Sequence, residues 1–274
     1  MANKHIFFKH FHNLMRLIYA VLIFLTLITS AQCQQTAEDW FHKGSALVEQ
    51  GKYDEAIDCF DEAIRLDPNY ACPWYDKGVI LGELGKLDEA MIAYDEAIRI
   101  DPKRADARIN KGVILYDQGK YDEAIKSFEE AIRLDPNLVD AWYNKGNALY
   151  NQDKYDEAIK AYDEAIRLDP NLVDAWYNKG NALYNQDKYD EAIKAYDEAI
   201  RLDSSNANAW YVKGNAFGQQ GKYDEAINAY DEATKLDPSN ANAWFNKGVA
   251  LDALGNTTDA DAAFAKANEL EHEV

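Results

Sequence analysis

The chain is short of the groups on which catalysis, metal binding and nucleic-acid recognition rest. Beyond residue 33 it holds two histidines, His42 and His272, and no glycine-rich phosphate loop, so acid–base, nucleophilic and phosphoryl-transfer centres have little to be built from. The recurrent Asp-Glu pairs sit at predicted helix starts, where complementing the helix dipole accounts for them. A catalytic role, a metal and a cofactor are therefore not expected. The three cysteines, Cys33, Cys59 and Cys72, are too few for a disulfide scaffold and are not spaced as a metal ribbon. Cys59 falls late in one predicted helix and Cys72 early in the next, an offset of several residues of rise, so two free thiols are expected. Basic charge is scarce as well: 29 Lys and Arg stand against 48 Asp and Glu. Lys4, Lys9 and Arg16 lie in the first 33 residues, and without them 26 basic residues face 48 acidic ones, a net charge of −22. Such a body repels phosphate backbones and anionic lipid, which excludes nucleic acid and favours a neutral or basic partner.

Long apolar runs are also missing. The one candidate, residues 17–28, is apolar apart from Tyr19 and Thr26 and follows a basic start of Lys4, His5, Lys9, His10, His12 and Arg16. It suits the core of a signal peptide and falls short of the roughly 20 residues that span a bilayer. Thr29-Ser30-Ala31 offers small residues for cleavage, and Ala31-Gln32-Cys33 a second place. Residues 1–33 read as a cleaved signal, a retained N-terminal anchor or, despite Gln32, a lipoprotein signal. Each places the body outside the cytoplasm or on a membrane, and any membrane contact runs through this segment alone.

From Ala37 the sequence repeats every 34 residues to its last residue, seven units without insertion: 37–70, 71–104, 105–138, 139–172, 173–206, 207–240 and 241–274. Trp40, Trp74, Trp142, Trp176, Trp210 and Trp244 form one column, with Arg108 in the third unit, and a glycine, Gly44 to Gly248, follows each by four residues. Alanine columns run from Ala56 to Ala260 and from Ala63 to Ala267. Between them lies an aromatic column of Phe60, Tyr94, Phe128, Tyr162, Tyr196, Tyr230 and Phe264, and Pro68, Pro102, Pro136, Pro170 and Pro238 close five units.

Each unit reads as two helices. In unit four, Trp142, Gly146 and Leu149 fall at i, i+4 and i+7, and Ala158, Tyr162 and Ala165 repeat that spacing, giving each helix one apolar stripe. The small Gly146 and Ala158 allow close approach. Asp156 and Glu157 start the second helix, and Asp169-Pro170-Asn171 stops it. Asp61/Arg65, Asp95/Arg99, Asp163/Arg167 and Asp197/Arg201 are expected to pair at i,i+4.

These features closely resemble the tetratricopeptide repeat (TPR) family over the whole of residues 37–274. The resemblance implies an all-α fold, a right-handed α-solenoid superhelix of seven helix-turn-helix units whose first helices line a concave groove. It also implies a non-catalytic scaffold for protein–protein interaction. One departure is consistent: the family commonly has leucine just before the motif glycine, where this chain has Lys43, Lys77, Lys111, Lys145, Lys179, Lys213 and Lys247. Their stems can cover apolar surface while the ammonium groups meet neighbouring carboxylates. A contact ladder for an acidic ligand is the alternative.

The second helices of inner units carry isoleucines seven apart, such as Ile159/Ile166 and Ile193/Ile200, whereas unit seven has Asp261 and Asn268 there. A solenoid hides its last apolar face by making it polar, so unit seven is expected to cap the array and Val274 to be a natural end. Thr234 is expected to soften the stripe one unit earlier, and Asn256-Thr257-Thr258 matches a glycosylation acceptor.

Opposite the apolar stripe of unit four lie Tyr143, Asn144, Asn147, Tyr150 and Asn151, and unit five repeats them as Tyr177, Asn178, Asn181, Tyr184 and Asn185. Units six and seven add Tyr211, Asn215, Phe245 and Asn246, and unit three adds Asn110 and Tyr116. An amide donates and accepts, so an asparagine column can hold the backbone of an extended peptide whatever its side chains, and tyrosines add flat apolar contact. The pattern is similar to the asparagine ladder of the TPR superhelix in protein O-GlcNAc transferases, without a transferase domain. The carboxylate-clamp subfamily grips a terminal carboxylate with basic residues, but in units four and five the matching places hold Asp140, Tyr143, Asp174 and Asn178. Two function classes follow: a module binding an extended polypeptide in this groove, or an assembly component of a membrane or envelope complex that works through its edges or convex face.

Overall fold

A computed structural model of the chain describes residues 35–272. The leader, its cleavage sites, Cys33 and Val274 lie outside the described residues. Among the described residues, fourteen helices and no strand occur. The chain divides into two compact units, Met1–Ile100 and Asp101–Val274.

The first unit holds two helical hairpins, α1 (Ala37–Val48) with α2 (Tyr53–Leu66) and α3 (Ala71–Glu83) with α4 (Leu87–Ile100). Cys59 is buried, Cys72 partly so, and both are free thiols. The second unit stacks five hairpins: α5 (Ala105–Asp117) with α6 (Tyr121–Leu134), α7 (Val139–Tyr150) with α8 (Tyr155–Leu168), α9 (Val173–Asn185) with α10 (Tyr189–Leu202), α11 (Ala207–Gln219) with α12 (Tyr223–Leu236), and α13 (Ala241–Ala253) with α14 (Thr257–His272). Within it each second helix packs on the first helix of the next hairpin, and first helices are neighbours at a step of one hairpin.

The columns of the repeat explain this packing. A Cβ placed on Gly146 would lie 2.5 Å from the Tyr162 ring, so glycine is what lets α7 and α8 close on the aromatic column. Ala158 and Ala165 flank that ring fully buried. The tryptophan and proline columns meet: Trp142, Trp176 and Trp244 donate their indole N–H to the carbonyls of Pro136, Pro170 and Pro238 at 3.0–3.1 Å. Arg108, at the tryptophan place of its repeat, is 8% exposed and hydrogen-bonds Glu130 and the Arg104 carbonyl. Second helices stop where an aspartate turns extended: the Asp169 carboxylate accepts from the Asn171 N–H at 2.9 Å. The turn inside each hairpin needs a left-handed residue. Glycine supplies it in most repeats, but Asp153 (φ 58°) and Asp187 (φ 60°) stand there in repeats four and five.

The aspartate–arginine pairs differ from the sequence expectation. Arg65, Arg99, Arg167 and Arg201 reach the i−3 glutamates Glu62, Glu96, Glu164 and Glu198 at 2.7–2.8 Å. Asp61, Asp163 and Asp197 instead receive Lys77, Lys179 and Lys213 from the next hairpin at 2.5 Å. The physical reason is reach: the aspartate faces the neighbouring hairpin, whose lysine arrives stem-first across the junction and is 16–22% exposed, while the glutamate one place later is the nearer partner of arginine on the open side. Lys145 and Lys247 bind Glu129 and Asp231 in the same way. Lys145, Lys179, Lys213 and Lys247 also lie 4.9–5.6 Å above the tryptophan ring of their own helix. Five of the seven lysines of the column, Lys77, Lys145, Lys179, Lys213 and Lys247, are therefore spent on junctions between repeats, as the first of its two readings expects.

Further junction contacts come from the Asp-Glu pairs. Besides sitting in first turns, Asp122 and Asp190 accept from the amides of Gln152 and Gln220 in the next repeat at 2.9 Å. Thr234 is buried, not a softened edge, because its hydroxyl donates to the Tyr230 carbonyl of its own helix at 2.8 Å. Ile166, Ile193 and Ile200 are buried, while Asp261 and Asn268 lie on an exposed face of α14.

Candidate functional site

The fourteen asparagine and aromatic positions singled out in repeats four to seven all fall in the second unit, on or just after α7, α9, α11 and α13. They are half-buried, except that Asn151, Asn185 and Phe245 are exposed. The alternation of a buried stripe with this polar one follows from helical periodicity, and the stacking of first helices lines the polar stripes up side by side.

Most of these side chains are joined in a hydrogen-bonded network that crosses the junctions. Asn147 Oδ1 accepts from Tyr162 Oη at 2.8 Å and from Asn178 Nδ2 of the next repeat at 3.0 Å. Asn178 Nδ2 also reaches Tyr143 Oη at 3.2 Å. The same motif returns two repeats on, where Asn215 Oδ1 accepts from Tyr230 Oη and Asn246 Nδ2 at 2.9 Å and Tyr211 Oη lies 3.3 Å from Asn246. A parallel line joins Asn151 to Tyr116 at 2.7 Å and Asn185 to Tyr150 at 2.8 Å.

The network sets what the face can offer a ligand. Both acceptor sites of the Asn147 carbonyl are used, so only its N–H groups can face outward, and one of them is shared with Tyr143. Asn178 gives an N–H inward and keeps its carbonyl. Asn151 spends its amide N–H groups on Tyr116 and the Asn147 main-chain carbonyl, and it too keeps an acceptor. The face thus carries donors and acceptors at fixed places, a pattern suited to the alternating N–H and C=O of a main chain. Burial pushes the hydroxyls of Tyr162, Tyr196 and Tyr230 far above the ordinary tyrosine range, so they remain donors.

These three hydroxyls are what sequence reasoning missed. The aromatic column reads as core, and its rings are core, but Tyr162, Tyr196 and Tyr230 extend an O–H through to Asn147, Asn181 and Asn215 at 2.8–2.9 Å. The available signal in the second unit was the choice of tyrosine over phenylalanine: Phe128 and Phe264 occupy the column where Val113 and Val249 replace the asparagine of the first helix, although in the first unit Tyr94 stands with Val79.

The network is not continuous. In repeat six Val212 stands in register with Asn144 and Asn178, so Asn181 receives no amide from the next helix at that place. A hollow of about 90 Å³ lies there, lined by Tyr150, Asn181, Tyr184 and Val212. A second hollow of about 310 Å³ opens at Gly218, the register place of Tyr150 and Tyr184. Asn144 and Tyr177 lie on the same face, and Phe245 rests on Phe264 with ring centroids 5.4 Å apart. Among the described residues no group of three or more His, Cys, Asp and Glu could hold a metal ion, and no helix is long and apolar enough to cross a membrane.

Comparison with known proteins agrees with this architecture. Family models described as "Tetratricopeptide repeat" match residues 109–173, 143–207, 177–217 and 241–272, and one described as "TPR repeat" matches residues 44–85, 78–119 and 214–255. No curated protein sequence matches. Among solved structures, MamA (residues 41 to the end) from Desulfovibrio magneticus RS-1 is 26% identical with a TM-score of 0.59, over 62% of this chain and 96% of that one. YrrB, described as a TPR protein with an unusual peptide-binding site, is 26% identical with a TM-score of 0.61, over 67% of this chain and 95% of that one. A tetratricopeptide repeat protein from Parabacteroides merdae, 20% identical with a TM-score of 0.64 over 86% of this chain and 94% of that one, shares the fold. With matches reaching from residue 44 to residue 272, hairpins that keep the glycine–aromatic contact, and solved relatives built the same way, the chain belongs to the tetratricopeptide repeat family.

Proposed function

We propose that the second unit binds an extended stretch of another polypeptide along the asparagine and tyrosine face of α7, α9, α11 and α13, without catalysis. The observation that carries this reading is the cross-junction network. It fixes half-buried amides across the junction of repeats four and five, and again across that of repeats six and seven, so that each keeps a defined remaining donor or acceptor. Fixed polar groups cost a ligand little reorganisation, and main-chain recognition asks for no particular side chains. First helices spaced by roughly 8–10 Å meet an extended chain at about three residues per repeat, given about 3.3 Å per residue. Repeats four and five are identical over residues 137–169 and 171–203, which favours a repetitive or weakly sequence-selective ligand. The acidic body favours a neutral or basic one. The likeness to YrrB lends support, since that protein has a peptide-binding site. Residues 1–33 would export the chain or tether it to a membrane, and the partner would then be met there.

The test is capture of partners by the tagged full chain, compared with a variant carrying Asn144→Ala, Asn147→Ala, Asn178→Ala and Asn181→Ala. Asn147 and Asn178 also bond each other, at roughly 1 kcal/mol per hydrogen bond, so the variant's melting must be measured alongside. Loss of capture by a folded variant is the expected result. Capture that survives would move binding to the edges or convex face, as for an assembly component.

A further inference from the structure

Position 218 departs from its counterparts in the three preceding repeats, Tyr116, Tyr150 and Tyr184. Repeats four and five carry Tyr150 and Tyr184 there, and each ring meets the first tyrosine of its own second helix, Tyr155 or Tyr189, with centroids 5.5 and 5.3 Å apart and planes at 63° and 66°. Repeat six keeps the second member of the pair, Tyr223, but has Gly218 in place of the first. The missing ring leaves the hollow of about 310 Å³, with Tyr184 and Tyr223 as walls and Val249 and Ala250 contributing from α13. A benzene-sized guest fills about 150 Å³ in an engineered cavity, so one aromatic side chain fits. The surroundings turn apolar beside it: Val249, where the neighbouring repeats have Asn181 and Asn215, is 46% exposed, and Phe245, where they have tyrosine, is 51% exposed.

We infer that the hollow at Gly218 is an anchor subsite for one phenylalanine-like side chain of the bound polypeptide. The assignment rests on the groove reading above for the rest of the ligand. Its occupant is read from the protein itself, which fills the equivalent space in repeats four and five with its own rings. An incoming ring would complete with Tyr223 the near-perpendicular pair that Tyr150 makes with Tyr155. In repeat four the hydroxyl has a use, since Tyr150 Oη accepts from Asn185. The register counterpart of Asn185 for position 218 is Ala253, so the bond that holds the Tyr150 hydroxyl has no equivalent there, although the amides of Asn215, Gln219 and Asn246 also line the hollow. No carboxylate, lysine or arginine lines the hollow. A charged anchor would therefore be desolvated without a partner, although the chain as a whole attracts cations. One anchored side chain gives an otherwise main-chain-reading groove a register.

N-acetylphenylalaninamide and N-acetylleucinamide are the probes, titrated into the full chain isotope-labelled at glycine and valine and followed by amide-resolved NMR. The phenyl probe should shift the Gly218 and Val249 signals saturably and bind at least about fivefold more tightly than the leucyl one, the size of an edge-on ring contact. Gly218→Tyr, which fills the hollow as the neighbouring repeats do, should abolish the shift at Val249. Gly218→Ala should retain most of the binding, because a Cβ there meets only Tyr230 Oη at 3.7 Å. Equal binding of the two probes, no shift at Gly218 of the unsubstituted chain, or a Val249 shift that persists in a folded Gly218→Tyr variant would overturn the assignment. A random peptide library displayed on phage separates it from the groove reading. Peptides that require Asn178 and Asn181 but show no fixed aromatic position keep the groove and refute the anchor. Phenyl binding at Gly218 with no peptide selected keeps the hollow as a site for an aromatic ring and refutes the groove, and with it the role of anchor.

Discussion

At the scale of single residues, the glycine before each aromatic ring sets how close two helices come. The 2.5 Å from a Cβ at Gly146 to the Tyr162 ring is a distance no real side chain tolerates, and the ring is itself 1% exposed, so it has nowhere to retreat. Gly146→Ala should therefore destabilise the chain by about 1–3 kcal/mol despite the better helix propensity of alanine. Chemical denaturation at constant protein concentration measures it, and an unchanged midpoint would show that the hairpin can open at no cost. The glycine column and the aromatic column were both legible in the sequence. What was not legible is that they are one contact, or that a tyrosine in the core column spends its hydroxyl on the opposite face. Those facts depend on where the second helix lies across the first, which a spacing along one chain does not contain.

At the scale of the element, the informative error concerns the ion pairs. Asp163 and Arg167 share a helix at the textual spacing for a pair, yet Arg167 takes Glu164 at 2.8 Å and Asp163 takes Lys179 from the next hairpin at 2.5 Å. Local spacing proposes partners within one helix. Stacking adds competitors from outside it, and a lysine already held against Trp176 at 5.3 Å gives up less freedom on pairing than an exposed arginine does. A double-mutant cycle separates the two possibilities. Asp163→Asn with Lys179→Met should show a coupling of about 0.5–1 kcal/mol that shrinks as salt is added, given that the aspartate is half exposed. Asp163→Asn with Arg167→Met should show coupling near zero. A larger coupling to Arg167 would restore the expectation drawn from the sequence.

For the molecule as a whole, tyrosine ionisation offers a readout of folding. Tyr155 and Tyr189 donate to the carboxylates of Asp153 and Asp187, and that hydrogen bond holds their hydroxyls up at about 12. Burial pushes Tyr162, Tyr196 and Tyr230 higher still. A folded-state value raised above the unfolded value of 10.0 contributes stability that is complete below about pH 10 and is lost as pH rises through about 12. Each ionisation also deepens an already negative net charge of −19. Tyrosinate absorbance for this set should therefore appear together with the loss of helical circular dichroism, above pH 10. Complete ionisation with the helices intact would sink that expectation. The candidate face was legible only as composition. Repetition revealed the asparagines and tyrosines, but the interruption at Val212 and the hollow at Gly218 acquire meaning only beside their neighbours in space.

Residues 137–169 and 171–203 are identical, yet Asn147 shares its carbonyl with Asn178 while Asn181 shares a hollow with Val212. What a repeat contributes is decided by the repeat that follows it. Copying residues 173–206 once more in tandem would set an asparagine amide against Asn181 and lengthen the polar track by one step, about three residues of extended ligand. The phenylalanine-like position would move outward by the same step. On the proposed reading, the footprint of this protein on a partner is in that sense a copy-number trait, adjustable by adding or removing one repeat and without any new amino acid.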